Sequence, residues 1–243
     1  MTRWWHLPFA GFAVTRRWLL WVTLALVCLQ LFFILRIALM AWVSPQSTAF
    51  MRSEAWRRLY ASADTQAAPN TPPATTRPWA QVWVDSARIS PHLKRAVIAS
   101  EDDGFANHQG VDWAAMESAW SRNRQQAQRA RHNSSTQPPK LVGGSTITQQ
   151  LAKNLLLSGE RQLARKAQEM LLSYLLEALL SKQRILEIYL NSVEWGDGVF
   201  GAEAAAQRYF GVSAAQLSAE QAARLAVMLP APKARSEERR VGK

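Results

Sequence analysis

Cysteine is almost absent from the sequence, since Cys28 is the only one. A single thiol excludes an intrachain disulfide framework and a cysteine metal site. Acidic residues are also scarce: 18 Asp and Glu face 29 Lys and Arg, which gives a formal net charge of +11. This basic surplus predicts an anionic partner, either nucleic acid, anionic lipid headgroups or a phosphorylated substrate.

Charge is missing altogether from residues 18–35, WLLWVTLALVCLQLFFIL, and the apolar character continues to residue 43. This run exceeds the roughly 20 residues that cross a bilayer core. The main alternative is a cleaved signal peptide, but its apolar region would have only about 7–15 residues and a small-residue cleavage site. We therefore predict a retained transmembrane anchor over residues 18–43. The tail of residues 1–17 is expected in the cytoplasm because it is basic (Arg3, Arg16, Arg17).

Composition divides the rest of the chain. Residues 44–80 are predicted to be a juxtamembrane segment and a proline-rich linker, because 61–78 read ASADTQAAPNTPPATTRP. A strand is predicted over residues 81–84, at the start of a globular domain over 81–232. Residues 233–243 form a charged tail. Helical patterns dominate the globular part, so we predict a mainly α fold with one N-terminal transmembrane helix.

An acidic, glycine-containing stretch, ASEDDGFANHQGVDW, covers residues 99–113. It follows an apolar run, and Ser90-Pro91 signals the start of the helix that leads to it. This arrangement would hold Glu101 at the edge of a buried element, where a carboxylate becomes a better acid or base than in water. The alternative is a solvated acidic turn.

A second polar pattern follows Gly143-Gly144. Thr146 and Gln149 have the spacing of a capping box at the start of a helix. Thr146, Gln150, Lys153 and Asn154 recur on one face of that helix. Such a face usually contacts solvent, but hydroxyl, amide and ammonium groups without an acid suit an oxyanion such as phosphate.

Two further features have alternative explanations. Arg165 and Glu169 are one turn apart on a predicted helix over residues 160–180, where a plain surface salt bridge is the simplest interpretation. The basic stretch between Arg122 and Lys140 contains no acid and includes NSSTQPP, which predicts a loop. Its charges are more often a solvated face than a substrate contact.

Four ordered motifs resemble the peptidoglycan glycosyltransferases, the lysozyme-like glycan polymerases of bacterial cell-wall synthesis. They are the stretch at 99–113, GGSTITQQLAKNLLLS at 143–158, RKAQE at 165–169 and RILEIYLN at 184–191. The segment EWGDGVFGAEAAAQRYFG at 194–211 is similar to the monofunctional, membrane-anchored branch. The S-x-x-K and K-T-G motifs of a transpeptidase do not occur.

The resemblance implies a reaction and a site. Lipid II would be the acceptor, and a growing glycan strand on polyprenyl diphosphate would be the donor. By its place in the pattern EDxxFxxH, Glu101 would be the base, Asp102 would orient it or a neighbour, and Phe105 and His108 would shape the wall. The resemblance implies that the leaving diphosphate is bound by cations and hydrogen-bond donors (Lys153, Arg165, Ser145, Thr146, Gln150, Asn154).

Glu169 matches the family's second essential glutamate, which would orient the donor diphosphate directly or through a divalent cation, Mg or Mn. No obligatory cofactor is implied. The expected location is the bacterial inner membrane, with the catalytic domain in the periplasm. The expected partners are the bilayer and other cell-wall synthesis proteins, without nucleic acid.

Two stretches depart from the family pattern. Residues 123–142 are longer and more polar than usual, in a region where relatives contact lipid. The final residues, ARSEERRVGK, do not resemble the family's further helical segment, so we expect a truncated or replaced C-terminus. The alternatives to a polymerase are a hydrolase or lytic transglycosylase, which would need no diphosphate site, and an anchored scaffold with a degenerate site.

Overall fold

The computed structural model describes residues 8–64, 79–132, 143–157 and 163–229. Its longest element is the N-terminal helix α1 (Pro8–Leu39), and the part over Thr15–Leu39 is long and apolar enough to cross a membrane. Most side chains of this part are exposed, as expected for a helix that contacts lipid. The predicted apolar helix is confirmed, although residues 40–43 form a turn after it and not its last turn.

The end of α1 is attached to the folded domain. Phe33, Ile37 and Met40 are buried in the domain's core. Arg184 donates a hydrogen bond from Nε to the carbonyl of Met40 at 2.8 Å. The amide groups of Gln30 and Gln168 lie 3.3 Å apart. The N-terminal helix therefore ends in direct contact with the helices of the domain.

Helix α2 (Ala49–Asp64) also packs on the domain. Met51 is buried, and Arg58 forms a 2.6 Å ion pair with Asp197. The helix includes residues 61–64, which were predicted to belong to the linker, because no proline interrupts the chain before residue 69. The remaining linker residues, 65–78, lie outside the described part of the chain.

A small three-stranded sheet has the order β1-β3-β2. β1 (Ala80–Gln81) pairs in parallel with β3 (Val199–Phe200), which pairs antiparallel with β2 (Glu194–Gly196). The predicted strand over 81–84 is wrong after Gln81. A side chain replaces the strand partner there, since Asn191 accepts from the Val84 N–H at 2.9 Å and donates to the Val84 carbonyl at 2.8 Å.

Seven helices form the body of the described domain, and the predicted mainly α fold is confirmed. In chain order they are α3 (Pro91–Glu101), α4 (Trp113–His132), α5 (Ile147–Leu156), α6 (Leu163–Leu179), α7 (Lys182–Ser192), α8 (Ala202–Phe210) and α9 (Ala219–Ala226). Short 3₁₀ turns occur at Ser86–Arg88 and Ala214–Gln216.

Helix α5 lies at the centre of this body, in contact with α2, α6 and α7. Its apolar stripe of Ile147, Leu151 and Leu155 is fully buried. Thr146 and Gln149 form the predicted capping box at its start. Because burial fixes α5 on several sides, its N-terminus is a rigid place from which to present polar groups.

Candidate active site

Glu101 is the last residue of α3, whose inner face is fixed by the fully buried Leu93 and Val97. The carboxylate is partly buried, and its Oε2 accepts a hydrogen bond from Gln150 Nε2 at 2.8 Å. A short amphipathic helix therefore ends on a carboxylate whose position is held by a second helix.

Asp102 connects the end of α3 to the start of α5. Its Oδ1 lies 2.8 Å from His108 Nε2, and its Oδ2 accepts the Ile147 N–H at 2.9 Å. A carboxylate at the first turn of a helix is stabilised by the unpaired N–H groups and the helix dipole. Asp102 is buried, so these partners replace the water that it loses.

Phe105 is buried in the core, and Lys182 of α7 contacts both Phe105 and His108. The Lys182 ammonium donates to the His108 carbonyl at 2.6 Å and lies 4.5 Å from the centroid of the Phe105 ring. It also pairs with Glu177 of α6 at 2.8 Å. Lys182 and Glu177 were not identified from the sequence, where no local spacing relates them to residues 105–108.

Thr146 and Ser145 differ in what their hydroxyls contact. The Thr146 hydroxyl accepts from the Gln149 N–H at 3.1 Å and donates to the Gly110 carbonyl at 2.6 Å, and the residue is buried. Ser145 is exposed and directly precedes the N-cap residue of the same helix. Thr146 therefore stabilises the local fold, whereas Ser145 is positioned to meet a ligand.

Gln150 contacts a third helix as well. Tyr189 of α7 is fully buried, and its hydroxyl donates to Gln150 Oε1 at 3.0 Å. Burial raises the pKa of Tyr189 well above its ordinary value, and the carboxylates of Glu101 and Asp102 raise it further. The sequence shows Tyr189 only as a polar-tipped residue within an apolar helix, where a buried hydroxyl needs a partner.

A second charged cluster lies on α6. Glu169 is buried, and it pairs with Lys166 at 2.5 Å and with Arg165 at 3.6 Å. The buried Arg165 Nε has no hydrogen-bond partner among the described residues. Helix α5, which carries the exposed Lys153 and the half-buried Asn154, packs directly against α6.

An open cleft contains Glu101. It is bounded by the end of α3, the start of α4 and the N-terminus of α5 (residues 99–103, Asp112, Ala115, Arg122 and residues 143–146). Of the predicted site residues it contains Glu101, Asp102, Ser145 and Thr146, and Gln150 reaches it through Glu101. The other predicted site residues do not line it (Phe105, His108, Lys153, Asn154, Arg165 and Glu169).

Among the described residues of the basic stretch, Arg122 lines the cleft. Arg124 and Arg129 are exposed on α4, and residues 133–142 lie outside the described part of the chain.

Another acidic group consists of Glu54 on α2, Glu194 in β2 and Asp197 just after β2, whose carboxylate oxygens lie close together. Arg57 and Arg58 pair with it, and the hydrogen bond to Glu54 raises the pKa of Arg57.

Comparison with known proteins matches residues 71–242 to the Transglycosylase family model. The chain belongs to the transglycosylase family. Its relatives include a biosynthetic peptidoglycan transglycosylase of Herminiimonas arsenicoxydans, 50% identical over 89% of this chain and 84% of the relative.

Proteins of the same name in Cupriavidus metallidurans and Burkholderia multivorans are 49% and 46% identical. The first alignment covers 89% of this transglycosylase and 85% of the relative, and the second covers 96% and 81%. The enzyme class predicted from the sequence, a glycosyltransferase, is thereby confirmed.

Proposed function

We propose that this transglycosylase polymerises lipid II into β-1,4-linked peptidoglycan strands and releases polyprenyl diphosphate. The names of its relatives support peptidoglycan synthesis as the process. The observation that carries the mechanism is the hydrogen bond from Gln150 to the Glu101 carboxylate in the cleft beside the start of α5.

Glu101 is the general base of the proposed reaction. The 4-hydroxyl of lipid II loses its proton to the carboxylate while its oxygen attacks the anomeric carbon of the donor sugar. The bond to diphosphate breaks, and the configuration inverts to give the β linkage. A sugar hydroxyl is a weak nucleophile, so a positioned base is expected to contribute about 10²–10⁴-fold.

Asp102, Phe105 and His108 act on the shape of this site. Asp102 fixes the end of α3 to the start of α5 through the Ile147 N–H. His108 and the Phe105 ring form the adjoining wall, which Lys182 supports. We assign these three residues to positioning and not to proton transfer.

The donor diphosphate is assigned to α5 and the first turns of α6. Ser145, Gln150 and Asn154 supply hydrogen-bond donors beside Lys153, and Thr146 holds the helix terminus that presents them. Arg165 is only loosely paired with Glu169, at 3.6 Å, so its guanidinium can turn to a diphosphate without breaking a short ion pair. Fixed cations stabilise the leaving anion most strongly where water is excluded.

Glu169 lies between two cationic side chains, Arg165 and Lys166. These partners repel a further cation, so the described side chains do not fit a protein-bound Mg or Mn site at Glu169. We assign Glu169 the direct role, which is to orient the two cations toward the diphosphate.

The anchor supports a location in the bacterial inner membrane, with the domain in the periplasm. Both substrates are lipid-linked, so tethering the domain confines enzyme and substrate to one surface and raises their effective concentration. The basic surplus of the chain suits diphosphate and anionic lipid headgroups. Other cell-wall synthesis proteins are expected partners, and neither nucleic acid nor a transpeptidase activity belongs to the proposal.

The decisive experiment supplies purified full chain with lipid II and measures glycan polymers. The wild type is expected to polymerise, and Glu101→Gln is expected to lose about 10²–10⁴-fold in rate with an unchanged melting temperature. Gln can still accept from Gln150, so the local hydrogen bond survives. Release of soluble fragments from preformed strands, without polymerisation, would instead identify a hydrolase.

The diphosphate assignment is tested with Glu169→Gln, which unpairs Arg165 and Lys166. The matched control is Glu220→Gln, because Glu220 forms an exposed i,i+4 pair with Arg224 at 2.5 Å on α9. Polymerisation should fall in the first variant only. Equal activity in both variants contradicts the diphosphate assignment. A folded wild type that neither polymerises nor cleaves contradicts the proposed function and favours a scaffold.

A further inference from the structure

Three side chains from three helices form a short hydrogen-bonded chain that ends on the proposed base. Tyr189 of α7 donates to Gln150 Oε1 at 3.0 Å, and Gln150 of α5 donates from Nε2 to Glu101 Oε2 at 2.8 Å. Tyr189 is fully buried. It is too far inside the domain to touch a substrate, so any effect on the reaction passes through Gln150.

The two ends of a glutamine amide have opposite hydrogen-bonding character. Its oxygen only accepts and its NH₂ only donates, so a rotation of 180° would present the oxygen to Glu101. A hydroxyl that donates to the oxygen favours the observed orientation. The Tyr189 hydroxyl provides this donor, and it stays protonated because its pKa is raised by burial.

We propose that Tyr189 is a positioning residue: its hydroxyl fixes the orientation of the Gln150 amide, which keeps the Glu101 carboxylate ionised and oriented as a base. The proposal rests on the assignment of Glu101 as the base. A hydrogen bond donated to a carboxylate favours its charged form. Loss of the Tyr189 hydroxyl should therefore make Glu101 easier to protonate, and the enzyme should lose activity at a higher pH than the wild type.

Other ionisable groups around Glu101 would stay in place when the hydroxyl is removed. The cleft contains Asp102, Asp103, Asp112 and Arg122. Helix α9 packs along α3 and turns buried Ala222, Leu225 and Ala226 toward the core. A change in the titration of Glu101 can therefore be assigned to the Tyr189–Gln150 pair.

The test is Tyr189→Phe in the full chain, which retains the ring and removes the hydroxyl. With lipid II as substrate, the midpoint of the acidic limb of kcat/KM is expected to rise by roughly half to one pH unit. We expect kcat near neutral pH to fall about threefold to tenfold, because the base is less well oriented.

Tyr209→Phe is the matched control. It removes the hydroxyl of a partly buried tyrosine, which donates to the Trp195 carbonyl at 3.0 Å and does not contact Gln150. It can lower stability but should leave the acidic limb in place. An unshifted limb in Tyr189→Phe, or the same shift in both variants, overturns the proposal.

A double-mutant cycle separates a relay from independent structural effects. Gln150→Leu removes the donor to Glu101, so adding Tyr189→Phe to it should shift the limb no further. An additive shift overturns the relay. If Tyr189→Phe does not fold, Gln150→Asn replaces it, because the shorter side chain withdraws the amide from Glu101. The midpoint of the acidic limb should then rise in this single variant. An unchanged midpoint would also overturn the proposal.

Glu101→Gln in the same assay separates this proposal from the proposed function. If Glu101→Gln is inactive and Tyr189→Phe has a wild-type pH profile, only the relay is wrong. If Glu101→Gln polymerises at the wild-type rate, Glu101 is not the base, and both proposals are wrong.

Discussion

Asp102 accepts the backbone N–H of Ile147 at 2.9 Å, across 45 positions of sequence. This contact joins the first residue after α3 to the first residue of α5. The same carboxylate pairs with His108. The two helix termini that bound the cleft are therefore held together by one buried side chain, which makes the cleft sensitive to changes at Asp102.

Asp102→Asn is expected to damage both stability and activity. An amide can accept only through its oxygen, so its NH₂ group would face either the Ile147 N–H or His108, and one donor would lose its partner. Leaving a buried donor unpaired costs about 1–3 kcal/mol. Thermal unfolding and the polymerisation assay check this. Asp85→Asn is the control, because Asp85 is exposed and forms no side-chain cap bond. Equal melting temperatures for the two variants would contradict the prediction.

Thr146→Ala is expected to lower stability, whereas Ser145→Ala is expected to weaken substrate binding. Thr146→Ala removes the helix cap and the bond to Gly110, so we expect a loss of about 1–2 kcal/mol in the free energy of unfolding. Ser145 is exposed, so Ser145→Ala should leave stability within about 0.5 kcal/mol and raise the KM for lipid II. Denaturant unfolding and steady-state kinetics separate the two effects. A stability loss in Ser145→Ala that matches Thr146→Ala would show that Ser145 has a structural role as well.

The extent to which this site was predictable depends on sequence separation. The capping box of Thr146 and Gln149 and the Arg165–Glu169 pair depend on neighbours within one helical turn, and both are present. The contact of Lys182 with His108 and the contact of Tyr189 with Gln150 join residues 74 and 39 positions apart. No local pattern encodes such contacts, because they depend on how α5, α6 and α7 pack.

The predicted strand over residues 81–84 was wrong for a related reason. Val82, Trp83 and Val84 have the side chains of a strand, and local propensity cannot anticipate a buried asparagine that pairs with the Val84 backbone. The helices were predicted more accurately, since apolar periodicity and caps are local. The resemblance to a known family supplied the proposed roles of Glu101 and Glu169, which packing patterns alone do not give.

Gly110→Ala is expected to destabilise the loop that supports α5. Gly110 has a φ of 87°, and an added Cβ would lie 2.9 Å from the Ser173 carbonyl oxygen. Backbone strain at such a position costs about 1–3 kcal/mol, and the adjoining Thr146 bond would also be disturbed. Gly143→Ala is the control, since a Cβ there meets nothing within 4 Å. Thermal unfolding of both variants provides the comparison, and an unchanged melting temperature for Gly110→Ala would contradict this account.

The raised pKa of Tyr189 predicts a loss of stability at alkaline pH. In the unfolded chain Tyr189 ionises near its ordinary pKa of 10.0, whereas in the folded protein it remains protonated to a higher pH. The folded state therefore binds more protons above that value, and the free energy of unfolding should fall there by up to about 1.4 kcal/mol per pH unit. Below pH 10 this contribution is constant. Denaturant unfolding from pH 8 to 11 should show a shallower alkaline fall in Tyr189→Phe than in the wild type. Tyr60→Phe removes an exposed phenol and should retain the wild-type fall, so equal slopes in all three proteins would show that Tyr189 ionises in the folded state as readily as in the unfolded chain.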